Sequence, residues 1–180
     1  HTALRRQRQM CIRDSFIYAP LVNYADHTFS VCKKMLDDKN AIMGLGDGGA
    51  HVGFILDAGY PTWLISYWSV KKKAFSMEET VRRLTSDTAN AAGLNDRGLL
   101  KVGLKADINI IDWENVSSSD PFMIQDLPAG GKRLMQHTQG YVTTIVSGKV
   151  TYKNGKFTKE RPGTVVKSVK DEEKILEFTN

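Results

Sequence analysis

A carboxylate flanked by glycines is the strongest chemical signal in this sequence. An apolar run over residues 41–45 stops just before Asp47, which Gly48 and Gly49 follow. In α/β enzymes, an acid at the carboxyl end of a buried strand is often presented in this way. Such a carboxylate can ligate a metal ion or accept a proton from a metal-bound water. The same residue types also form ordinary turns, so both interpretations of Asp47 stay open on local sequence alone.

Histidines supply the other candidates for chemistry. His51 lies four residues after Asp47, and it either faces the same pocket or braces the loop. His27 follows residues 16–24, which are predicted to be the end of a strand running into a loop, and it can reach the same sheet edge, whereas His137 is expected on the surface. One aspartate and one histidine are too few to hold zinc, which takes three or four protein ligands.

Other common site patterns are absent from the sequence. There is no G-x-G-x-x-G or G-K-[ST] phosphate loop and no G-x-S-x-G nucleophile elbow. The aromatic residues Trp63, Tyr67 and Trp68 have helical spacing. This spacing favours positions in the core over positions that line a substrate pocket.

Composition excludes several classes of protein. Of the 180 residues, 41% are hydrophobic and 25% are charged, which is typical of a globular chain. No apolar run approaches the roughly 18–20 residues of a membrane span. Residues 1–15 carry +3 of the net charge of +5, and the basic residues of the remainder are scattered among acids, which predicts no nucleic-acid partner. Outside residues 1–15, Cys32 is the one cysteine, so we expect no disulfide and a cytoplasmic location.

The opening segment, residues 1–15, is predicted to be a non-native leader. Its run RQRQMCIRDS resembles translated adapter DNA, and it lacks the apolar core of a secretory signal. The alternative is a genuine basic arm. The leader is excluded from the predictions of fold and function.

The remaining elements predict an α/β region followed by an all-β region. We expect helices over residues 29–36 and 61–70, with a buried strand over 41–45 between them. A third helix is expected between Ser76, which has capping-box spacing to Glu79, and Gly93. Its apolar face is predicted to hold Val81, Leu84 and Ala92. Strands are predicted at 108–111 and 141–146, with two-residue hairpin turns at 147–148 and 154–155. The predicted domains are 16–97 and 98–166, followed by a charged tail at 167–180.

Four segments together resemble one enzyme family. GLGDGGAHVG (residues 44–53) resembles the aspartate loop of the N-acyl-D-amino-acid deacylases (D-aminoacylases) of the amidohydrolase superfamily. The segments LTSDTANAAGLNDRG (84–98), GLLKVGLKADINIID (98–112) and GYVTTIVSGKVTYKNG (140–155) are similar to the same family. The likeness covers roughly residues 16–167. The last two patterns occur across many amidohydrolases, whereas the first is more specific.

This resemblance implies a metal-dependent (β/α)₈ barrel and a small β-sandwich built from both chain ends. Residues 40–46 would be the last barrel strand, and residues 99–157 the C-terminal share of the sandwich. Asp47 would contact a zinc cofactor and act as general base, taking a proton from the zinc-activated water and passing it to the leaving amine. His51, Gly48 and Gly49 are the matching candidates for substrate binding.

The sequence departs from the family in its metal ligands, most of which are missing. No H-x-H occurs here, so we expect the chain to be the C-terminal part of such an enzyme and inactive alone. The full enzyme would hydrolyse N-acyl-D-amino acids, which are small molecules, to a carboxylate and a D-amino acid. The alternatives are another amide hydrolase of the superfamily or a non-catalytic binding or assembly remnant. The sequence predicts neither acyl specificity, metal count nor oligomeric state.

Overall fold

This computed structural model divides the chain into two compact units, residues 1–41 and 42–180. It describes residues 23–24, 26–44, 46, 51–53 and 55–166. Asp47, Gly48 and Gly49 lie outside the described residues, as do the predicted leader and the charged tail. The predicted domain boundary at residues 97–98 therefore stays a prediction.

The first unit contains helix α1, Ser30–Asp37, which confirms the helix predicted over residues 29–36. The turn before it is held by the Asp26 carboxylate, which accepts hydrogen bonds from Thr28 Oγ1 at 2.7 Å and Ser30 Oγ at 2.9 Å. Cys32 is half-buried and its thiol contacts the Asn23 carbonyl oxygen at 3.6 Å.

The buried strand predicted over residues 41–45 is wrong for the residues that the structure describes. Residues 41–44 form no strand, and the side chain of Ile42 is 55% exposed. Within the described ranges, every strand lies between residues 108 and 157. A parallel strand is buried only when neighbouring strands and helices cover it, and no described strand pairs with this segment.

The second unit contains a continuous helical stretch over residues 57–71. A 3₁₀ turn, Asp57–Gly59, leads into helix α2, Tyr60–Trp63, and then into a π-helix, Leu64–Lys71. The helix predicted over residues 61–70 is therefore present, but its second half is wound as a π-helix. Leu64, Ile65 and Trp68 are at most 5% exposed and form the core of this stretch. Trp68 confirms the core prediction, whereas Trp63 is 38% exposed and stacks on Tyr67 at 4.7 Å.

The helix predicted up to Gly93 is split in two. Helix α3 is Met77–Leu84 and helix α4 is Ser86–Ala91, with a break at Thr85 (φ −124°, ψ −85°). The predicted N-cap is confirmed, because the Glu79 amide donates to Ser76 Oγ at 3.1 Å. Gly93 has φ +69°, the left-handed conformation of the predicted helix stop.

The buried face of α3 differs from the prediction. Thr80 is fully buried, whereas Val81 is 43% exposed and Ala92 is exposed. Leu84 is half-buried. Burial of Thr80 is possible because its hydroxyl donates to the Ser76 carbonyl oxygen at 2.7 Å, which satisfies its polar group.

An antiparallel sheet of four strands follows the helices. Its spatial order is β1 (Ile108–Ile111), β6 (Tyr141–Val146), β7 (Lys149–Lys153) and β8 (Lys156–Phe157). The strands predicted at 108–111 and 141–146 are confirmed with the same bounds. Both predicted hairpin turns are also confirmed. Ser147 and Gly148 have φ of 49° and 77°, and Asn154 and Gly155 have φ of 48° and 73°, as a type I′ turn requires.

Two further strand pairs occupy the segment that the sequence left irregular. Strand β2 (Ser117–Ser118) pairs with β5 (Thr138–Gln139), and β3 (Phe122–Ile124) pairs with β4 (Arg133–Met135). The described residues thus form a mixed fold of helices and sheets, without a closed barrel among them. None of the described helices is both long enough and apolar enough to cross a membrane.

Candidate functional site

The described residues on either side of Asp47 are held by specific contacts. Gly46, directly before it, packs so closely that a Cβ atom there would lie 2.4 Å from the Asp57 carbonyl oxygen. The same atom would lie 3.1 Å from the Tyr60 ring. Only glycine fits this backbone approach, because any Cβ would overlap a backbone carbonyl that cannot rotate away.

The C-terminal flank is held by a strand. The Val52 carbonyl oxygen accepts a hydrogen bond of 2.8 Å from the Leu134 amide of β4. Next to it, the Ile55 amide donates to the His51 carbonyl oxygen at 3.1 Å, and His51 has φ +49°. The left-handed backbone at His51 turns the chain towards this strand contact.

Helix α2, which supports Gly46, is joined to the large sheet. The hydroxyls of Thr62 and Tyr141 share a hydrogen bond of 2.9 Å, and Tyr141 is the first residue of β6. Thr62 is buried and Tyr141 is half-buried, so this bond is partly shielded from water. The described residues on both sides of Asp47 are therefore linked to β strands. Gly46 packs against helix α2, which is hydrogen-bonded to β6, and Val52 is hydrogen-bonded to β4.

The structure describes only some of the predicted site residues. His51 is described and its side chain is exposed, whereas Asp47, Gly48 and Gly49 lie outside the described residues. His27 belongs to the first unit, is exposed, and meets the Tyr24 ring edge-on at 6.1 Å. His137 is exposed beside the Phe122 ring at 4.8 Å, which confirms its predicted surface position.

A metal centre is not found in the part of the chain that the structure describes. No group of three or more His, Cys, Asp or Glu side chains there could hold an ion. Because zinc takes three or four protein ligands, these residues do not fit a complete zinc site.

An apolar cleft of about 990 Å³ in the second unit was not predicted. The residues around it come from the segment before Asp47, the helices and the sheet: Met43, Tyr60, Ile65, Leu84, Trp113 and Tyr141. Glu78 at its margin is hydrogen-bonded by its own backbone amide and by the Ser76 hydroxyl, which hold the pKa of its carboxyl below the ordinary value. Trp63, Tyr67 and Trp68 do not line this cleft. The apolar run over residues 41–45 is a sequence feature that contributes to the cleft, because Ile42 and Met43 line it.

Comparison with known proteins gives a family match and two curated relatives. Residues 9–152 match the model of the amidohydrolase family. A dihydroorotase from Lactobacillus acidophilus is 34% identical over 89 residues, which are 47% of this chain and 20% of that protein. An N-acyl-D-aspartate deacylase from Alcaligenes xylosoxydans xylosoxydans is 28% identical over 96 residues, or 53% of this chain and 18% of that protein. The aligned part of the chain thus spans about one fifth of each relative's length. No solved structure matches.

Proposed function

Since the chain belongs to the amidohydrolase family, we propose that the protein containing it hydrolyses the amide bond of N-acyl-D-amino acids. The products are a carboxylate and a free D-amino acid. The observation that carries the proposal is the GLGDGGAHVG loop, which resembles the deacylase loop and lies inside the family match. The similarity to an N-acyl-D-aspartate deacylase supports the same substrate class.

In this proposal Asp47 is the general base. Its carboxylate accepts a proton from the attacking water while the water oxygen bonds to the amide carbonyl carbon. The carbon–nitrogen bond then breaks, and Asp47 returns the proton to the departing amine. Gly48 and Gly49 leave the backbone open to close approach by the substrate, and His51 supplies a hydrogen-bonding side chain beside it.

Zinc is the proposed cofactor, and (β/α)₈ barrel architecture is the proposed setting. Members of the amidohydrolase superfamily commonly use metal ions. The described residues do not supply a full ligand set, so the proposal assigns the remaining ligands to sequence upstream of this chain. The division into barrel residues 16–97 and sandwich residues 98–166 belongs to the same proposal, as does a cytoplasmic location.

A dihydroorotase-type activity is the second candidate. The observation that favours it is the 34% identity to the Lactobacillus protein, which exceeds the identity to the deacylase. The two candidates differ in substrate, so one assay panel separates them.

The test begins with long-read sequencing across the gene to recover the intact coding region. Its product is assayed on N-acetyl-D-aspartate, other N-acetyl-D-amino acids, their L-enantiomers and dihydroorotate, before and after removal of metal by a chelator. We expect turnover of the D-amino acid derivatives, loss of turnover on chelation, and recovery with Zn²⁺. Turnover of dihydroorotate alone supports the second candidate, and no turnover of any amide contradicts both.

Substitution of Asp47 tests its role. We expect Asp47→Asn to lower kcat by about 10²–10⁴-fold, because the amide cannot accept the proton of the attacking water. His137→Asn, at an exposed site, is the matched control and should leave kcat unchanged. Wild-type kcat in Asp47→Asn would show that another group is the base.

A further inference from the structure

We propose that the C-terminal end of the π-helix binds a small anion that carries phosphate groups. The site consists of Lys71, Lys72 and Lys73, and the ring of Tyr67 positions two of the three ammonium groups. The three lysines are exposed and Tyr67 is half-buried, and all four residues are described within the second unit. The site is independent of the role proposed for Asp47.

The winding of the helix brings two lysines to one aromatic ring. The Nζ atoms of Lys71 and Lys72 lie 5.9 Å and 5.6 Å from the centroid of the Tyr67 ring. In an α-helix, side chains three and four residues apart are neighbours, so Lys71 would reach the ring and Lys72 would not. A π-helix bonds residues five apart, and the Lys72 amide donates to the Tyr67 carbonyl oxygen at 2.8 Å. Such π-helical segments are frequent at functional sites.

The ring that holds these two ammonium groups is itself fixed. Tyr67 stacks on Trp63 with 4.7 Å between ring centroids and 5° between ring planes, and it meets Trp68 edge-on at 5.2 Å. Trp68 is 5% exposed, so the aromatic cluster is attached to the core. A ring attracts nearby cations through its quadrupole, which offsets part of the repulsion between the two lysines. The charges are therefore gathered before a ligand arrives, which reduces the entropy lost on binding.

The fold does not use these ammonium groups in its own ion pairs. None of the ion pairs among the described residues includes Lys71, Lys72 or Lys73. Glu79, six residues beyond Lys73, is paired with Arg83 at 2.8 Å. The positive charge of the three lysines is thus left to attract an anion from solution.

The lysine side chains are also not needed to cap the helix. Lysines near a helix end often donate to its last carbonyl groups. Here backbone amides do so, because the Lys73 amide donates to the Ser69 carbonyl oxygen at 3.1 Å and the Ala74 amide donates to the Trp68 carbonyl oxygen at 2.8 Å. With the bond from the Lys72 amide, the carbonyl groups of Tyr67, Trp68 and Ser69 are all satisfied by the backbone.

The number and type of the charges point to the ligand. Lysine binds phosphate as a compact point charge, and three adjacent lysines match an anion with several negative charges better than a single carboxylate. A nucleic acid needs a wider basic surface, and recognition of anionic lipids usually takes a cluster of 4–8 basic residues. The observations therefore favour a small polyphosphate or a small molecule that bears phosphate groups.

Calorimetric titration of the 180-residue chain with inorganic triphosphate tests the site. We expect saturable binding to one site at low ionic strength, with an affinity that falls as salt is added. Lys72→Ala should raise Kd about three- to fivefold, because it removes one exposed charge contact. Lys156→Ala is the matched control, since it removes an exposed lysine from β8 with the same change in net charge. No binding of triphosphate, or equal effects of the two substitutions, would overturn the proposal.

Substitution of Tyr67 tests the positioning role of the ring. We expect Tyr67→Leu to raise Kd for triphosphate about threefold, and Tyr67→Phe, which keeps the ring, to match the native chain. Circular dichroism establishes that each variant is folded, and if Tyr67→Leu unfolds, the two lysine substitutions decide the question. Vesicles of phosphatidylcholine with phosphatidylserine form the last arm. Binding to these vesicles without binding of triphosphate would replace the small anion by a membrane surface and overturn the proposal.

Discussion

The four-stranded sheet and the segment before Asp47 are both rich in apolar residues, but they differ in what covers them. Strand β6 has a hydrogen-bonded neighbour on each side, β1 and β7. Segment 42–44 has no described strand beside it, and Ile42 is 55% exposed. Strands β6, β7 and β8 are antiparallel and joined by two tight turns, so these pairing partners are close in sequence, whereas β1 pairs with β6 from a more distant part of the chain.

This difference separates local from distant requirements for a strand. An antiparallel hairpin needs only a suitable turn and a second strand a few residues away. A strand of a parallel barrel needs neighbours that arrive through long crossover connections. An apolar run beside a tight turn is therefore enough to predict a hairpin strand. An apolar run alone is not enough to predict a buried parallel strand, because the covering strands come from distant parts of the chain.

The largest expected effect concerns a glycine within the β region. Gly140 has φ +89°, and a Cβ there would lie 2.8 Å from Val116 Cα. We expect Gly140→Ala to reduce the free energy of unfolding by about 3 kcal/mol, since backbone overlap adds to the cost of a left-handed conformation. Chemical denaturation monitored by circular dichroism measures this loss.

Gly155→Ala is the control for that substitution. Gly155 also has a left-handed φ, +73°, but a Cβ there meets nothing within 4 Å. The expected loss is about 1 kcal/mol, the cost of the backbone conformation alone. Equal losses at both glycines would show that the close packing of Gly140 on Val116 contributes nothing to the stability of the sheet.

Much of the fold could be predicted because its signals are local. The Asn-Gly dipeptide is a strong signal of a type I′ turn, Ser-Gly is a more general turn signal, and Ser76 with Glu79 marks a helix start. The break at Thr85 could not be predicted, because the residues around it continue a helical pattern. The pairs β2–β5 and β3–β4 were also missed, since strands of two or three residues carry too little pattern for detection.

The sequence indicated the kind of candidate site, a carboxylate on a glycine-rich loop, but not the contacts around it. The glycines around Asp47 indicated a loop at a functional edge, but the approach of Gly46 to Asp57 and Tyr60 depends on residues eleven and fourteen positions away. The hydrogen bond from Leu134 to Val52 joins residues far apart in sequence. Such contacts leave no periodic trace, so only the structure places them.

Ion pairs outside the four-stranded sheet are expected to have a smaller effect on the free energy of unfolding. Arg133 donates hydrogen bonds to Asp126, which lower the pKa of the Asp126 carboxyl, and Arg97 lowers the pKa of Asp96 in the same way. Because the folded pKa lies below the unfolded value, this stabilisation is present above about pH 4 and is lost as pH falls through the folded pKa. We expect the free energy of unfolding to be level between about pH 5 and 7 and to decline below about pH 4.

Asp126→Asn isolates one of these pairs. Denaturation at a series of pH values should show a shallower acid decline in Asp126→Asn than in the control Asp120→Asn, at another exposed aspartate. The difference should shrink in high salt, because exposed pairs are screened. Identical acid slopes in the two variants would exclude a contribution from the Asp126–Arg133 pair.

The smallest expected effect lies in the segment before Asp47 and bears directly on the barrel proposal. In the 180-residue chain, Ile42→Ala should change the free energy of unfolding by less than about 0.5 kcal/mol, because the side chain is already 55% exposed. Ile65→Ala, at a residue that is 3% exposed, is the buried control and should cost about 2–5 kcal/mol. In the intact protein, burial of the segment as a barrel strand would raise the cost of Ile42→Ala to the same range. A small cost in both proteins would contradict the barrel strand, and a large cost in the 180-residue chain would contradict the exposed position of Ile42. The pair of measurements therefore tests whether this segment becomes a strand only when distant parts of the chain cover it.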